Sequence, residues 1–227
     1  MNDAIIISDV HLGSNICQSK KLQKFLDNLP PTSSLIINGD LFDSLNFKRL
    51  QRSHWKILNS LRDISKHTNL IWVRGNHDYE CADISHLIGA EFINEYQFVS
   101  GCNIIMVVHG DIFDKFISQY PILTKVADQI YRLIQRYDAH FNTEYYYSGL
   151  AKRKSKIFLR SSEQICERAK LYAGLHRVDS IICGHTHFPI INTTGNIPYY
   201  NCGSWTEQNC SYISVSNGVI DLNYFSI

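Results

Sequence analysis

Ala4-Ile5-Ile6-Ile7-Ser8-Asp9-Val10-His11 is a short apolar run that ends on an acid and an imidazole. A run of this length, bounded by polar residues, reads as a buried strand, with Asp9 and His11 just past its carboxyl end. The same arrangement recurs four times. Leu35–Asn38 leads into Gly39-Asp40, Leu70–Val73 into Gly75-Asn76-His77-Asp78, Asn103–Val108 into His109-Gly110-Asp111, and Ser180–Cys183 into Gly184-His185-Thr186-His187. Between the first runs lie helical patterns: Gln18–Leu29, ended by Pro30-Pro31, and Gln51–Lys66, with Trp55, Leu58, Leu61 and Ile64 at helical spacing. Strand and helix in alternation predict βαβ units, a largely parallel sheet and an α/β fold class.

Further along the pattern changes. Ile117, Leu123, Ile130 and Ile134 keep helical spacing, as do Ile157, Ile165, Ala169 and Tyr172, with Tyr-rich Asn142–Gly149 between them. Short strands follow at Tyr199–Asn201, Tyr212–Val215 and Val219–Tyr224, the last two joined by the turn signal Asn217-Gly218. The expected organisation is one domain over residues 1–227 with a helical insertion (a cap) at about 112–178. The last third is expected to build a second sheet packed on the first.

Composition narrows the function classes. The chain has 227 residues, 44% hydrophobic and 19% charged, which excludes a disordered polar chain. Twenty-two Lys+Arg against 21 Asp+Glu give a net charge of +1, which argues against a dedicated nucleic-acid binder. No run approaches the ~18 apolar residues of a membrane span, and Met1-Asn2-Asp3 lacks the basic flank of a signal peptide, so a cytoplasmic location is expected. The seven cysteines contain no CxxC pair, and most read as small buried hydrophobes in a reducing compartment.

The five strand-end clusters carry the chemistry. In layered α/β folds such ends gather on one side, so residues as far apart as 9 and 187 can converge. Carboxylates, an amide oxygen and imidazoles without thiolates suit borderline divalent cations: Mn2+ foremost, with Fe2+, Zn2+ and Ni2+ also suited. Asp43, Asp111 and Asp114 stand within a few residues of these clusters and read equally as supports for ligands or as caps. His54, His67, His86, His140 and His176 are expected in ordinary structural roles.

In this order, DxH, GD, GNHD, H and GHTH resemble the calcineurin-like binuclear metallophosphoesterases over nearly the whole chain. The resemblance implies a four-layer α/β/β/α sandwich with two divalent metal ions. By that resemblance Asp9, His11 and His187 would bind one ion, Asp40 would bridge, and Asn76, His109 and His185 would bind the other. His77 would sit near the leaving group, oriented by Asp78. Within the superfamily the chain is similar to the UDP-2,3-diacylglucosamine diphosphatase branch. The likeness lies in Asp9-Val10-His11-Leu12-Gly13, Gly39-Asp40-Leu41-Phe42-Asp43, His109-Gly110-Asp111-Ile112-Phe113-Asp114 and Tyr199-Tyr200-Asn201-Cys202-Gly203-Ser204-Trp205. It departs from that branch at His77, where many proteobacterial members have Arg, and at Ser204, where relatives often have Asp.

The insertion is basic: residues 111–180 hold 12 Lys+Arg against 8 Asp+Glu, with Lys152, Arg153, Lys154 and Lys156 clustered. That cluster is expected to meet an anionic, partly apolar substrate or an anionic membrane surface, giving peripheral contact at the inner face; read blandly, it is a solvated helix face. Three functions stay open at this point. They are a phosphoester or pyrophosphate hydrolase acting on a small-molecule or lipid-linked substrate such as UDP-2,3-diacylglucosamine, a nuclease or cyclic-nucleotide phosphodiesterase, and a non-catalytic scaffold on the same fold.

Overall fold

A computed structural model of the chain describes residues 1–114, 133–134, 137 and 156–226, the side chains of 156–160 excepted. The run 4–7 belongs to strand β1 (Asn2–Ile7), and every residue from Ala4 to Ile7 is buried because helices cover one side of the sheet and a second sheet covers the other. β2 (Thr32–Asn38), β3 (Asn69–Val73) and β4 (Glu91–Ile93) continue it in parallel register, with Ile6 opposite Ile36 and Ile36 opposite Ile71. The crossovers run through α1 (Ser19–Asp27), α2 (Arg52–Ile64) and α3 (Ala82–Ile88). The second sheet has the order β5 (Tyr96–Ser100), β6 (Asn103–Val107), β7 (Ser180–Cys183), β9 (Tyr199–Asn201), β8 (Ile190–Asn192). Its centre, β6-β7-β9, is parallel.

The last two strands do not join that second sheet. β10 (Cys210–Ser216) pairs antiparallel with the open edge of β1, Ala4 opposite Val215, and β11 (Val219–Phe225) pairs with β10. The last third is therefore divided between the two sheets, which corrects the expectation of a single second sheet built from it. The physical reason is the alternation Ile213, Val215, which sends both side chains into the inter-sheet core and caps an otherwise exposed edge. Asn217-Gly218 makes the expected two-residue turn, both residues at positive φ (48° and 82°).

Three apolar layers separate four structural ones. Ile5, Ile7, Leu35, Ile37 and Trp72 pack outward on α1, α2 and α3. Ala4, Ile6, Ile36 and Val73 meet Ile105, Val107 and Ile182 between the sheets. Met106, Ile181 and Tyr199 pack on α4 (Lys156–Leu175) through Ile165, Cys166, Ala169 and Ala173, which fall on one helical face. This is the expected α/β/β/α sandwich. Of the expected insertion, Asp111–Phe113 forms a 3-10 turn, Ile134 is helical and α4 closes it; its remainder, with Ile117, Leu123, Ile130 and His140, lies outside the described residues. All seven cysteines are free thiols, five of them buried.

Candidate metal centre

Four of the five clusters leave their strands through left-handed backbone, the Gly75–Asp78 cluster being the exception. Among the described residues seven non-glycine positions have positive φ, and five of them are Asp9, His11, Asp40, His185 and His187, at 52–65°. Left-handed backbone is uncommon outside glycine and concentrates at functional sites. Here the turns aim side chains from different strand ends at one point. The glycines in GN and GH serve close approach: a Cβ at Gly75 would overlap the Asp40 carboxylate and amide, and one at Gly184 would overlap Ser8 Oγ and Asp9.

Asp40 is the hub. Its Oδ2 lies 3.5 Å from His109 Nε2, 3.7 Å from His11 Nε2 and 3.9 Å from His77 Nε2, while Oδ1 accepts the His77 amide at 2.9 Å. Asp9 is the second focus: Oδ1 is 3.0 Å from His187 Nε2 and 3.8 Å from His11 Nε2, and Oδ2 accepts the His185 amide at 2.9 Å. Three overlapping groups thus have their ligand atoms within 4.8 Å of one another: Asp9, His11 and His187; His11, Asp40 and His77; Asp9, Asp40 and His109. Asn76 and His185 are joined to each other, Oδ1 to Nδ1 at 3.0 Å, and the His185 ring packs edgewise on His109 at 5.3 Å. All seven expected ligands are therefore neighbours.

The donor set fits divalent cations, and His109 shows why. Its Nδ1–H donates to the Asn38 carbonyl at 2.8 Å, so in the neutral ring Nε2 is a lone pair facing the Asp40 carboxylate. That Nε2 is buried and has no hydrogen-bond partner among the described residues. Two electron-rich groups held face to face need positive charge between them, from a proton or a cation. Burial opposes charging of this ring, yet Asp40 and Asp9 hold its pKa well above the usual value. His11 behaves alike: burial lowers its pKa, while Asp9, Asp40 and Asp43 raise it overall. Burial likewise penalises ionised Asp9 and Asp40, but the imidazoles keep both carboxyls below the usual range.

Supporting contacts fix ring orientation, as ligands of cations require. His187 Nδ1 meets Thr206 Oγ1 at 3.2 Å, itself bonded to Ser204 Oγ at 3.1 Å. Asp114 Oδ2 is 3.3 Å from His185 Nε2, and Asp43 Oδ1 is 3.8 Å from His11 Nδ1, which places both beside expected ligands. Asp111 instead lines a neighbouring cleft of about 330 Å3 with Arg74, Glu95, Ile112 and Tyr172, whose hydroxyl donates to Glu95 at 2.7 Å. His54, expected to be structural, accepts the Gly13 and Gln51 amides and ties the loop after His11 to the start of α2.

The expectation that Asp78 orients His77 is corrected. The Asp78 carboxylate turns inward and its Oδ2 accepts three N–H groups, from Asp40 at 2.6 Å, Gly75 at 3.0 Å and Trp72 at 3.1 Å. It anchors the Gly39-Asp40 turn against β3. His77 is oriented by a backbone group instead, the Asp43 carbonyl, 2.8 Å from its Nδ1. A carbonyl carries no sequence signature; Thr206 had one, its place beside Ser204-Trp205 after a strand end. The basic cluster Lys152, Arg153, Lys154 and Lys156 lies outside the described residues, apart from the Lys156 backbone that begins α4.

Residues 4–189 match the calcineurin-like phosphoesterase family. The chain belongs to that family, which makes it a metal-dependent phosphoester hydrolase by class. Among curated proteins no significant match was found. Among solved structures it is similar to the Escherichia coli phosphoesterase YfcE (16% identity, covering 98% of this chain and 99% of that one, TM-score 0.51). It is also similar to a single-site variant of Vps29 from Entamoeba histolytica (14%, 97% and 97%, 0.51). A novel archaeal phosphodiesterase is a third such neighbour (12%, 97% and 98%, 0.50). At these identities the likeness is one of fold. Among the described residues no helix is long and apolar enough to cross a membrane.

Proposed function

We propose that the chain hydrolyses a phosphoester or pyrophosphate bond at a pair of divalent cations held by Asp9, His11, Asp40, Asn76, His109, His185 and His187. The observation that carries this reading is the buried Asp40 carboxylate, faced by imidazoles from three other loops, one of them with an orphaned Nε2. Cations bound there supply positive charge to the phosphoryl oxygens and acidify a water. The protein's own residues do the rest. Asp40 sits between the two ligand sets and joins them. His77, with Nδ1–H committed to the Asp43 carbonyl, directs Nε2 at the cluster and in its imidazolium form can hand a proton to the departing oxygen. Among the rings beside Asp40 it is the open one, its side chain 29% exposed against 0% for His109 and 8% for His11, as contact with substrate requires.

For the substrate, the reading is a nucleotide-linked lipid such as UDP-2,3-diacylglucosamine, cleaved to UMP and a lipid sugar phosphate. Its support is the motif resemblance and the polar cleft at Arg74, Glu95 and Tyr172, reached from the same strand ends as Asn76 and His109. Assay of the purified protein with Mn2+ on that substrate, beside UDP-sugars without acyl chains and a small aryl phosphodiester, tests both levels. Faster turnover of the acylated substrate supports the lipid reading, and equal rates with and without chains sink it. Turnover of the aryl diester alone keeps the hydrolase and moves the substrate elsewhere.

A further inference from the structure

Outside residues 111–180 the chain has ten lysines and arginines, and eight of them lie on α1 or between Phe47 and Ile64. Only Asp27 and Asp63 fall within the same two segments, so these segments together carry +6 on a chain whose total is +1. The two helices form one face, joined by Gln23 Nε2 donating to Ser60 Oγ at 2.8 Å and by Ser19 and Ser53 hydroxyls 3.0 Å apart. On α2 the inward positions His54, Ile57, Leu58 and Leu61 are buried, while Arg52, Trp55, Lys56 and Asn59 form an exposed stripe at i, i+3, i+4 and i+7. Trp55 is 50% exposed and Phe47, on the turn that precedes α2, is 40% exposed. Phe47 still packs edgewise on the buried Phe42 at 5.7 Å, which leaves Trp55 as the more open ring.

We propose that this α1–α2 face docks on an anionic lipid bilayer, with Lys48, Arg52 and Lys56 against the headgroups and Trp55 seated at the interface. Clustered lysines and arginines are attracted to anionic headgroups, and indole rings favour the boundary between headgroups and acyl chains. An exposed helix stripe of basic residues with one indole ring suits a bilayer surface; a nucleic-acid strand asks for a groove with successive aromatic rings along its backbone. Docking here also places the candidate centre at the membrane. Arg49 on the same turn pairs with Asp43 at 2.6 Å, and Asp43 is 3.8 Å from His11. These residues precede the insertion in the chain, and docking can be measured without any substrate, so its failure would leave the hydrolase reading untouched.

Trp72 and Trp205 are fully buried, so a change in tryptophan emission on adding vesicles reports Trp55. The full-length protein is mixed with vesicles of phosphatidylcholine alone or containing phosphatidylglycerol, and with a single-stranded oligonucleotide in parallel. Expected are co-sedimentation with the anionic vesicles only, a blue shift of emission, and weakening with salt. The triple variant Lys48→Glu, Arg52→Glu, Lys56→Glu should lose at least a hundredfold in partitioning, since each basic residue is worth about fivefold at such a surface. Trp55→Ala should lose the shift and part of the binding. Circular dichroism melts confirm that both variants fold. Absence of binding to anionic vesicles at low salt overturns the proposal. So does binding that survives the triple variant with Trp55 emission unmoved, or tighter binding of the oligonucleotide through the same residues.

Discussion

Asp40, His77 and His109 divide the work of the centre by burial. His109 is sealed and fixed by a backbone carbonyl, whereas His77 is partly open and touches no second carboxylate besides Asp40 among its ion-pair contacts. His77→Ala should therefore retain bound metal and lose kcat by ~10²–10⁴-fold, the usual worth of a general acid. Metal analysis beside a kcat measurement checks this, and equal loss of metal would make the role structural. Protons and cations compete for the same ligands. His11 and His109 have raised folded-state pKa values, so the stability they contribute is present below the ordinary imidazole pKa and is lost as pH rises through the folded values. Burial and Asp40 push Asp78 up to about 6, which has the same sign. Asp9 and Asp40 are depressed, and their contribution is lost only in strong acid. Metal-free protein should thus melt higher at mildly acidic than at mildly alkaline pH, while metal affinity should rise with pH as proton competition ends. Thermal melts with and without chelator across pH test it, and an apo melting point rising into alkali would contradict it. At this scale the convergence of these side chains was legible, because acids and imidazoles stood in fixed order at the ends of apolar runs. The partner of His77 was not, since a backbone carbonyl has no pattern, whereas Thr206 beside His187 stands next to the Ser204-Trp205 pair.

Elements position these residues through reversals at strand ends that leave no room for extra atoms. Gly184→Ala puts a Cβ into Ser8 Oγ and the Asp9 carboxylate, which are held by the opposing β1. The overlap should cost about 1–3 kcal/mol, in the range of overpacked cores, and should weaken metal binding beyond its effect on the apo fold. Chemical denaturation paired with metal titration separates the two effects; unchanged affinity would mean the loop gives way freely. The long elements were readable: α2 and the strands β1, β2, β3, β6 and β7 carry full apolar runs or helical stripes. β4, β5, β8 and α3 were not. They are short or lie at sheet edges, and β5 alternates between half-buried and exposed, so no continuous apolar signal marks them. β10 was foreseen as a strand but not as β1's partner. Pairing across such sequence distance follows from which edge is open, and that is a property of the assembled sheet.

For the whole molecule, two sheets bring the clusters at their strand ends together into one buried group of carboxylates and imidazoles, where cations can replace the protons that the metal-free protein holds. Cation binding at a hundredfold excess over Kd should add about 2.7 kcal/mol and raise the melting temperature by roughly 5–10 °C, with chelation reversing it. Alternation predicted the parallel βαβ sheet and the family resemblance implied the α/β/β/α layering, while the exposed basic stripe on the α1–α2 face emerged only when exposed positions were separated from buried ones. The central claim is a two-cation phosphoesterase joined by Asp40. Its most direct test is divalent metal stoichiometry measured together with hydrolysis of bis(p-nitrophenyl) phosphate, in the wild-type chain and in Asp40→Ala. Two equivalents of metal and Mn2+-dependent turnover are expected in the wild type, with both collapsing in the variant; an Asp40→Ala protein that kept both ions and its full rate would contradict it.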